Sequence, residues 1–435
     1  MAIAPGGTPA FKTTYGNVAP RFGLAYQVNQ NQDWETVIRG GFGVFYDLVS
    51  SETGNLVGNQ YPPFGALSFL PSGAIFPLDS TQSAPPPIPV TGTLAQPYFF
   101  NPSLKQPYTL EWNVAFEQTL GSNQSFSASY IGAAGRRLLQ TTSLFNPPSN
   151  PDVGFGFFVD NTSTSDYDAL QLQFRRHLSH GLQALASYSW AHSIDTGSAG
   201  SAGVNSNSGI PGGRNVNRGN SDFHIRNAAS VALTYDVPAP RLNAFAHAII
   251  GGWSLQSIIR AQSASPLYIQ DVNFGQFEGN LIADIRPDLI PGQPLYLYSS
   301  KYPGGKAINP AAFTDPPSSP IGPNCPFGGC PARQGTTPRN FLRGFGATQW
   351  DFAIHRDFPI HESLKLQFRA EMFNVLNHPN FGPPNGNFGT ASFGVSSQML
   401  GQSLNGFGSL GSGGLSPLYQ IGGPRSIQLA LKVQF

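Results

Sequence analysis

The strongest constraint on the fold is a strict alternation of apolar and polar residues over long segments. In residues 426–435 the apolar side chains fall on one side of an extended chain, at Ile427, Leu429, Leu431, Val433 and Phe435. A period of two residues is that of a β-strand with one apolar face. The last residue is itself aromatic, whereas soluble chains usually end in loosely ordered residues. The alternation predicts a terminal β-strand, which either a membrane barrel or a soluble sheet could contain.

A second predicted strand, Leu364–Phe373, determines which face meets which environment. Its polar residues, Lys365, Gln367, Arg369 and Glu371, alternate with apolar ones. A lysine or arginine facing lipid at mid-membrane costs roughly 2–4 kcal/mol, so in a barrel these side chains are predicted to line the lumen. A register shift of one residue would turn the charged ones toward lipid. They are candidates for solute contact, although charged lumen residues more often stabilise the wall or a plug.

Strand length and the order of connections favour a membrane barrel over a soluble sandwich. About eleven strands can be identified, most of them nine to eleven residues long, whereas strands of soluble sheets have roughly five or six. Tight turns, and one moderate link at 239–252, alternate with loops of tens of residues. Outer-membrane barrels have short periplasmic turns and long extracellular loops. The sequence therefore predicts an all-β fold, an antiparallel transmembrane β-barrel with long extracellular loops.

Composition supports this fold class and excludes others. Only 11% of residues are charged, against roughly 25% in typical soluble domains. The 24 basic and 23 acidic residues nearly balance, so no nucleic-acid partner is expected. No apolar run approaches the roughly 18 residues of a membrane-spanning helix, and no signal peptide opens the sequence. Four tryptophans are predicted to form interfacial girdles, in preference to stacking on sugars: Trp112, Trp190, Trp253 and Trp350.

The sequence contains no recognisable catalytic or cofactor motif. Residues 406–411 (GFGSLG) match a dinucleotide fingerprint, but they lie in a Gly/Ser run with no βαβ unit around them. Asp222 and His224 are close in sequence, but the sequence contains no G-x-S-x-G nucleophile turn for them to serve. A structural role at the mouth of a strand is therefore favoured for this segment. The chain is predicted to be neither an enzyme nor a cofactor-binding protein.

Two cysteines, Cys325 and Cys330, lie in a turn-rich segment. A short loop disulfide formed in an oxidising compartment is the favoured interpretation. A metal site would need further ligands, and there is no histidine between Trp253 and Trp350. We therefore predict no metal site here.

Seven segments resemble the Oar-like family of TonB-dependent receptors, and in family order they cover nearly the whole chain. They are residues 19–26 (APRFGLAY), 38–47 (IRGGFGVFYD), 219–226 (GNSDFHIR), 286–289 (RPDL), 308–313 (INPAAF), 369–378 (RAEMFNVLNH) and 423–432 (GPRSIQLALK). The resemblance implies a transporter in the bacterial cell outer membrane that takes up a scarce solute with energy passed on by TonB. The terminal strand, with Phe435, is similar to the closing strand that the barrel-assembly machinery recognises.

The resemblance also defines which parts are not found in residues 1–435. Members of the family carry a signal peptide, usually a β-sandwich domain, a plug and a TonB-contacting segment, and their barrel has twenty-two strands. Residues 1–435 are thus expected to be the C-terminal part of such a barrel, with plug and TonB contacts in an upstream region. Both the first and the last predicted strand run toward the short-turn end, which requires an odd strand number, whereas closed bacterial barrels have an even one. A surface structural or adhesion β-protein is the alternative function.

Overall fold

The structure is a computed structural model of the 435-residue chain. It describes residues 8–47, 75–80, 83–84, 94–145, 153–198, 214–238, 251–273, 277–278, 281–282, 285–319, 330–331, 333–361, 364–400 and 422–434.

Eleven long strands form the main path of one antiparallel sheet. They are β1 (Arg21–Asn29), β2 (Thr36–Tyr46), β3 (Tyr108–Thr119), β4 (Gln124–Phe145), β5 (Val153–Ser179), β6 (Leu182–Asp195), β7 (Asn227–Asp236), β8 (Trp253–Gln262), β9 (Ala347–His361), β10 (Leu364–Phe373) and β11 (Ser426–Gln434). Each strand pairs with its neighbours in this order. Within the described residues, β1 and β11 are not paired with each other, so the sheet is an open wall. The predicted eleven antiparallel strands are confirmed.

One face of this sheet is a continuous apolar band. Cross-strand partners point to the same face of an antiparallel sheet, and the pairs Phe22–Phe42, Leu170–Trp190 and Leu429–Ala370 follow that face from β1 to β11. The alternate residues of β11 are well exposed, and Leu431 reaches 70%. Nine residues at roughly 3.3 Å each, tilted by about 40°, give a height of about 23 Å. That height matches the apolar belt of roughly 25 Å on outer-membrane barrels.

The connections are sorted by length between the two ends of the sheet. Short turns follow β1, β3, β5 and β9, and the link of residues 237–252 follows β7. We call this the turn end and the opposite end the loop end. Among the described residues, no helix is long and apolar enough to span a membrane. The four tryptophans lie on the apolar face: Trp253 near the turn end, and Trp112, Trp190 and Trp350 toward the loop end.

An arginine also lies on the apolar face, although the cost of placing a charge in lipid predicts that charged side chains lie on the opposite face. Arg356 of β9 pairs with Trp253 of β8 near the turn end. Its guanidinium carbon lies 5.4 Å from the Trp253 ring centroid and 4.5 Å from that of Phe358. Only 8% of Arg356 is exposed. Cation–π contacts and the position at the edge of the band explain why this charge is tolerated.

The hairpin of β4 and β5 extends well beyond the membrane band. The segment between Ile131 and Asp168, which reads as a loop in the sequence, continues the two strands, with pairing up to Phe145 and Phe155. A strand of the predicted first long loop, Leu94–Phe100, joins β5 in parallel. Their apolar side chains form a cluster outside the band: Tyr98, Phe100, Leu104, Leu139, Phe157 and Val159. The prediction of a loop was wrong here, because this segment continues the two paired strands although many of its residues are polar.

The long connections at the loop end also fold together, where the sequence predicted mostly irregular structure for 263–349. We call the described residues of 214–226, 263–346 and 374–400 the loop layer. Its strands are short: Gly219–Asn220, Pro266–Leu267, Gln270–Asp271, Phe277–Glu278, Leu281–Ile282, Asp288–Leu289, Tyr296–Tyr298, Lys306–Ile308, Phe313–Thr314, Ser318–Ser319, Cys330–Pro331, Leu342–Arg343 and Asn387–Phe388. Three single 3₁₀ turns join them, at Arg214–Asn217, Pro303–Gly305 and Pro310–Ala312. The layer packs around Leu267, Ile269, Ile308, Ala312, Phe313, Leu342 and Phe393.

Candidate functional site: the polar face and the loop layer

The face of the sheet opposite the apolar band carries polar side chains on all eleven strands, with a few apolar ones among them. A groove of about 440 Å³ crosses β5 to β8 on this face, and its lining includes Gln171, Gln173, Ser187, Ser189, Arg260 and Gln262. Amide and hydroxyl groups there offer both donors and acceptors, and Arg260 adds one positive charge. Such a surface can bind a hydrated or hydroxylated solute, or a protein segment with polar side chains.

The four predicted lumen residues of β10 lie together on this polar face. Lys365 and Gln367 pair with Gln434 and Lys432 of β11. Arg369 and Glu371 form an ion pair, with 2.7 Å between Nη2 and Oε1. On the other side, Gln367 donates to Asp357 of β9 over 2.9 Å. That these four side chains line a lumen, and that they touch a solute, stays a prediction.

The terminal apolar residues lie on the opposite face, as the alternation predicts. Ile427, Leu429 and Val433 are 63%, 68% and 51% exposed, and no described residue covers them. Phe435 lies outside the described residues, so its part in an assembly signal stays a prediction. Cys325 is also outside them, and the proposed bond to Cys330 stays a prediction.

A buried ion cluster joins the loop layer to the end of β6. Arg339 and Asp195 form an ion pair in which their side chains are 5% and 4% exposed. The guanidinium also donates to the Ser198 hydroxyl over 2.8 Å and to Asp222 over 3.1 Å. Asn340 donates to the same Asp222 carboxylate over 2.6 Å. A charge-assisted network of this kind fixes the loop layer over the mouth of the wall.

A second buried arginine extends this network. Arg286, which is 2% exposed, donates to the Asn217 side chain over 3.0 Å and to the Val216 carbonyl over 2.9 Å. Gly335 passes so close to it that a Cβ there would lie 1.9 Å from the Arg286 carbonyl oxygen. Only glycine allows that approach. Three segments that are far apart in sequence therefore meet at one point.

His224 is part of the same structural network. Its Nε2 lies 3.1 Å from the Ala191 carbonyl oxygen, and its Nδ1 lies 3.0 Å from Nη2 of Arg343. The neutral tautomer with a proton on Nε2 satisfies both contacts, because the guanidinium can only donate. Burial lowers the pKa of His224, and Arg343 adds to the effect. Asp222 points away from it toward Arg339, which agrees with the predicted structural role of this segment.

One carboxylate of the loop layer is buried without a cation. Asp271 is 2% exposed, and its Oδ2 has no hydrogen-bond partner. Burial raises its pKa to about 6, with the neighbouring Asp315 contributing. Nothing in the sequence distinguishes Asp271, since the residues around it meet only through the fold of the loops.

A two-faced antiparallel wall with an apolar belt of membrane height is an outer-membrane β-barrel wall. The family model of the outer membrane beta barrel domain matches residues 3–406. The chain therefore belongs to this family, and its place is the cell outer membrane. Comparison with curated proteins finds no match.

Solved structures with a similar fold are outer-membrane proteins. The outer membrane transporter YddB from Escherichia coli has 13% identity and a TM-score of 0.50, covering 96% of this chain and 40% of its own. The ferripyoverdine receptor of Pseudomonas aeruginosa has 10% identity and a TM-score of 0.42, with coverages of 95% and 32%. The siderophore receptor PiuA from Acinetobacter baumannii has 9% identity and a TM-score of 0.40, and the match covers 94% of this chain and 35% of PiuA. The chain thus spans less than half the length of these proteins.

Proposed function

We propose that the chain forms part of the wall of a TonB-dependent transporter, which takes up a scarce solute through a plugged barrel. The observation that carries this proposal is the continuous polar face opposite the lipid-facing band. Eleven strands at roughly 4.8 Å spacing span an arc of about 53 Å. Eight strands already enclose a lumen that side chains can fill, and wider barrels hold a channel or a plug. A wall of this width is better suited to transport than to simple anchoring.

The open edges support a larger barrel than the described strands provide. β1 and β11 both run from the loop end to the turn end, so they cannot pair antiparallel with each other. An unpaired strand edge in lipid leaves backbone groups without partners. Closure therefore requires an odd number of further strands between them. We expect a plug domain in the lumen, TonB as the energy-coupling partner, and the barrel-assembly machinery acting on β11. The long loops would then face the outside of the cell.

Binding of TonB to the full-length protein tests the function directly. The purified full-length protein in detergent should migrate faster on an unboiled gel than after boiling, and it should retain the C-terminal domain of TonB from the same organism. A control lacking the first residues of the mature protein should keep its gel shift and lose TonB. A heat-modifiable barrel that never binds TonB, and whose host adheres less to surfaces when it is deleted, would favour the adhesion alternative and contradict transport.

A further inference from the structure

A pair of carboxylates in the loop layer has the arrangement of a cation site. Asp271 ends the short strand Gln270–Asp271, which pairs in parallel with Asn387–Phe388. Asp315 follows the strand Phe313–Thr314, and one residue, Asn273, donates hydrogen bonds to the carboxyl groups of both Asp271 and Asp315. The two residues come from different segments of the layer and meet only in the folded protein.

Asn273 holds the two carboxylates in place. Its backbone N–H donates to Oδ1 of Asp271 over 3.0 Å, and its side-chain amide donates to Oδ1 of Asp315 over 2.9 Å. Oδ2 of Asp271 remains without a partner although only 2% of the residue is exposed. A buried oxygen of this kind costs about 1–3 kcal/mol or more when it stays unsatisfied. A ligand that supplies positive charge at this oxygen would remove that cost.

Other carboxylates of the layer show how such groups are normally satisfied. Asp195 is paired with Arg339, and Asp288 accepts two hydrogen bonds of 2.7 Å from Arg333. Asp271 has no arginine or lysine partner among the described residues. Backbone donors nearby are also used, since the N–H of Val272 binds the Phe388 carbonyl over 3.0 Å. Either a shared proton or a bound cation must therefore neutralise the buried oxygen.

We propose that Asp271 and Asp315 bind a calcium ion that fastens the loop layer. Hard oxygen ligands in an irregular loop suit Ca²⁺, which accepts six to eight oxygens in flexible geometry. Mg²⁺ demands near-ideal octahedral geometry and is a poorer fit. Among the described residues, no group of three or more His, Cys, Asp or Glu side chains could hold a metal, so carbonyl oxygens or water would complete the shell. Two carboxylates predict weak affinity, in the range of about 0.1–1 mM known for extracellular modules.

The site can be tested without knowing the solute. The full-length protein in detergent is digested with trypsin in EDTA or in CaCl₂, and cleavage after Lys301, an exposed residue of the layer, is followed. Ca²⁺ that binds only the closed layer lowers the open population by the factor 1 + [Ca²⁺]/Kd. At ten times the Kd, cleavage should therefore slow by about tenfold.

Matched variants separate the site from general effects of salt. Asp271→Asn and Asp315→Asn should each remove the protection by CaCl₂, because an amide donor satisfies the remaining carboxylate and takes away a ligand charge. Asp222→Asn removes a carboxylate of the same layer that is already paired, and it should keep the protection. Equal protection in Asp271→Asn, no protection in the parent, or equal protection by MgCl₂ would overturn the proposal. Because TonB binding is measured separately, failure here leaves the proposed transport function untouched.

Discussion

Replacing Arg339 by methionine tests whether the buried ion cluster holds the loop layer on the wall. The substitution preserves most of the side-chain volume and removes the charge next to Asp195. Both side chains are almost fully buried, at 5% and 4% exposure. Asp195 would then be left as an unpaired buried carboxylate, while Ser198 and Asp222 would lose a donor.

The expected cost follows from this burial. Removing one partner of a buried ion pair destabilises by about 3–5 kcal/mol, mostly because the other charge is left uncompensated. The Asp222 contact adds little, since that carboxylate is 59% exposed and exposed pairs contribute about 0–1 kcal/mol. Asp195→Asn in the same protein removes the stranded charge, so the double variant should be more stable than Arg339→Met alone. Local opening of the layer sets the upper limit of the measurable effect.

Native-state hydrogen exchange is the suitable assay, because it reports opening of the layer separately from the barrel. The amide of Ser221, which donates to the Ser193 carbonyl over 3.0 Å, lies beside the cluster. Its exchange should accelerate roughly 100- to 4,000-fold in Arg339→Met, at 1.4 kcal/mol per tenfold change. Amides of β10 and β11 serve as controls and should not change. An acceleration below about fivefold, or a double variant as destabilised as the sum of the single ones, would refute the role assigned to Arg339.

Three further predictions concern the two faces and the pH response. Leu429→Arg places a cation on the lipid face and should cost roughly 2–4 kcal/mol in refolding into vesicles, whereas Gln428→Arg on the polar face should cost less than 1 kcal/mol; equal costs would contradict the face assignment. Deleting Phe435 from the full-length protein should lower the heat-modifiable fraction in membranes while synthesis is unchanged, and an equal fraction would exclude an assembly role. Arg333 lowers the pKa of Asp288, so the stability from this pair is present at neutral pH and is lost as the pH falls below about 4. Asp288→Asn should therefore speed tryptic cleavage of the loop layer at pH 7, and the difference from the parent should be smaller in pepsin digests at pH 3; a difference that does not shrink between pH 7 and pH 3 would contradict this.

The wall could be predicted because its information is local. In each long strand, the alternation of apolar and polar side chains shows which residues belong to the apolar face and which to the polar face. Neighbouring strands of the sheet also follow one another in sequence. Lys365 and Leu429 could therefore be assigned to opposite faces from a few residues on either side. Arg356 is the instructive exception. Its neighbours in sequence mark it as lipid-facing, but its partner Trp253 lies in another strand, so only the structure shows why the charge is tolerated.

The loop layer could not be predicted because its contacts are almost all distant in sequence. Arg339 and Asp195 are 144 residues apart, and Arg286 and Asn217 are 69 apart. Strands of two or three residues show no periodicity that could be recognised, and glycine and proline occur throughout these segments as in any loop. The resemblance to a family did select three of the segments that meet here, around Asp222, Arg286 and Phe313, but it could not show that they touch.

This difference between wall and layer has a mechanical consequence. In the wall, every strand is fixed by continuous backbone pairing to two neighbours, except at β1 and β11, and lipid makes an unpaired edge unfavourable. The loop layer has a small apolar core, and buried ion pairs and amide contacts tie it to the wall at the end of β6. Water can replace such polar contacts, so they can be broken and remade at far lower cost than the pairing of strands in lipid. If the long loops face the outside of the cell, as proposed, the polar face opens toward that side through the loop layer, and the cluster around Arg339 resists that opening.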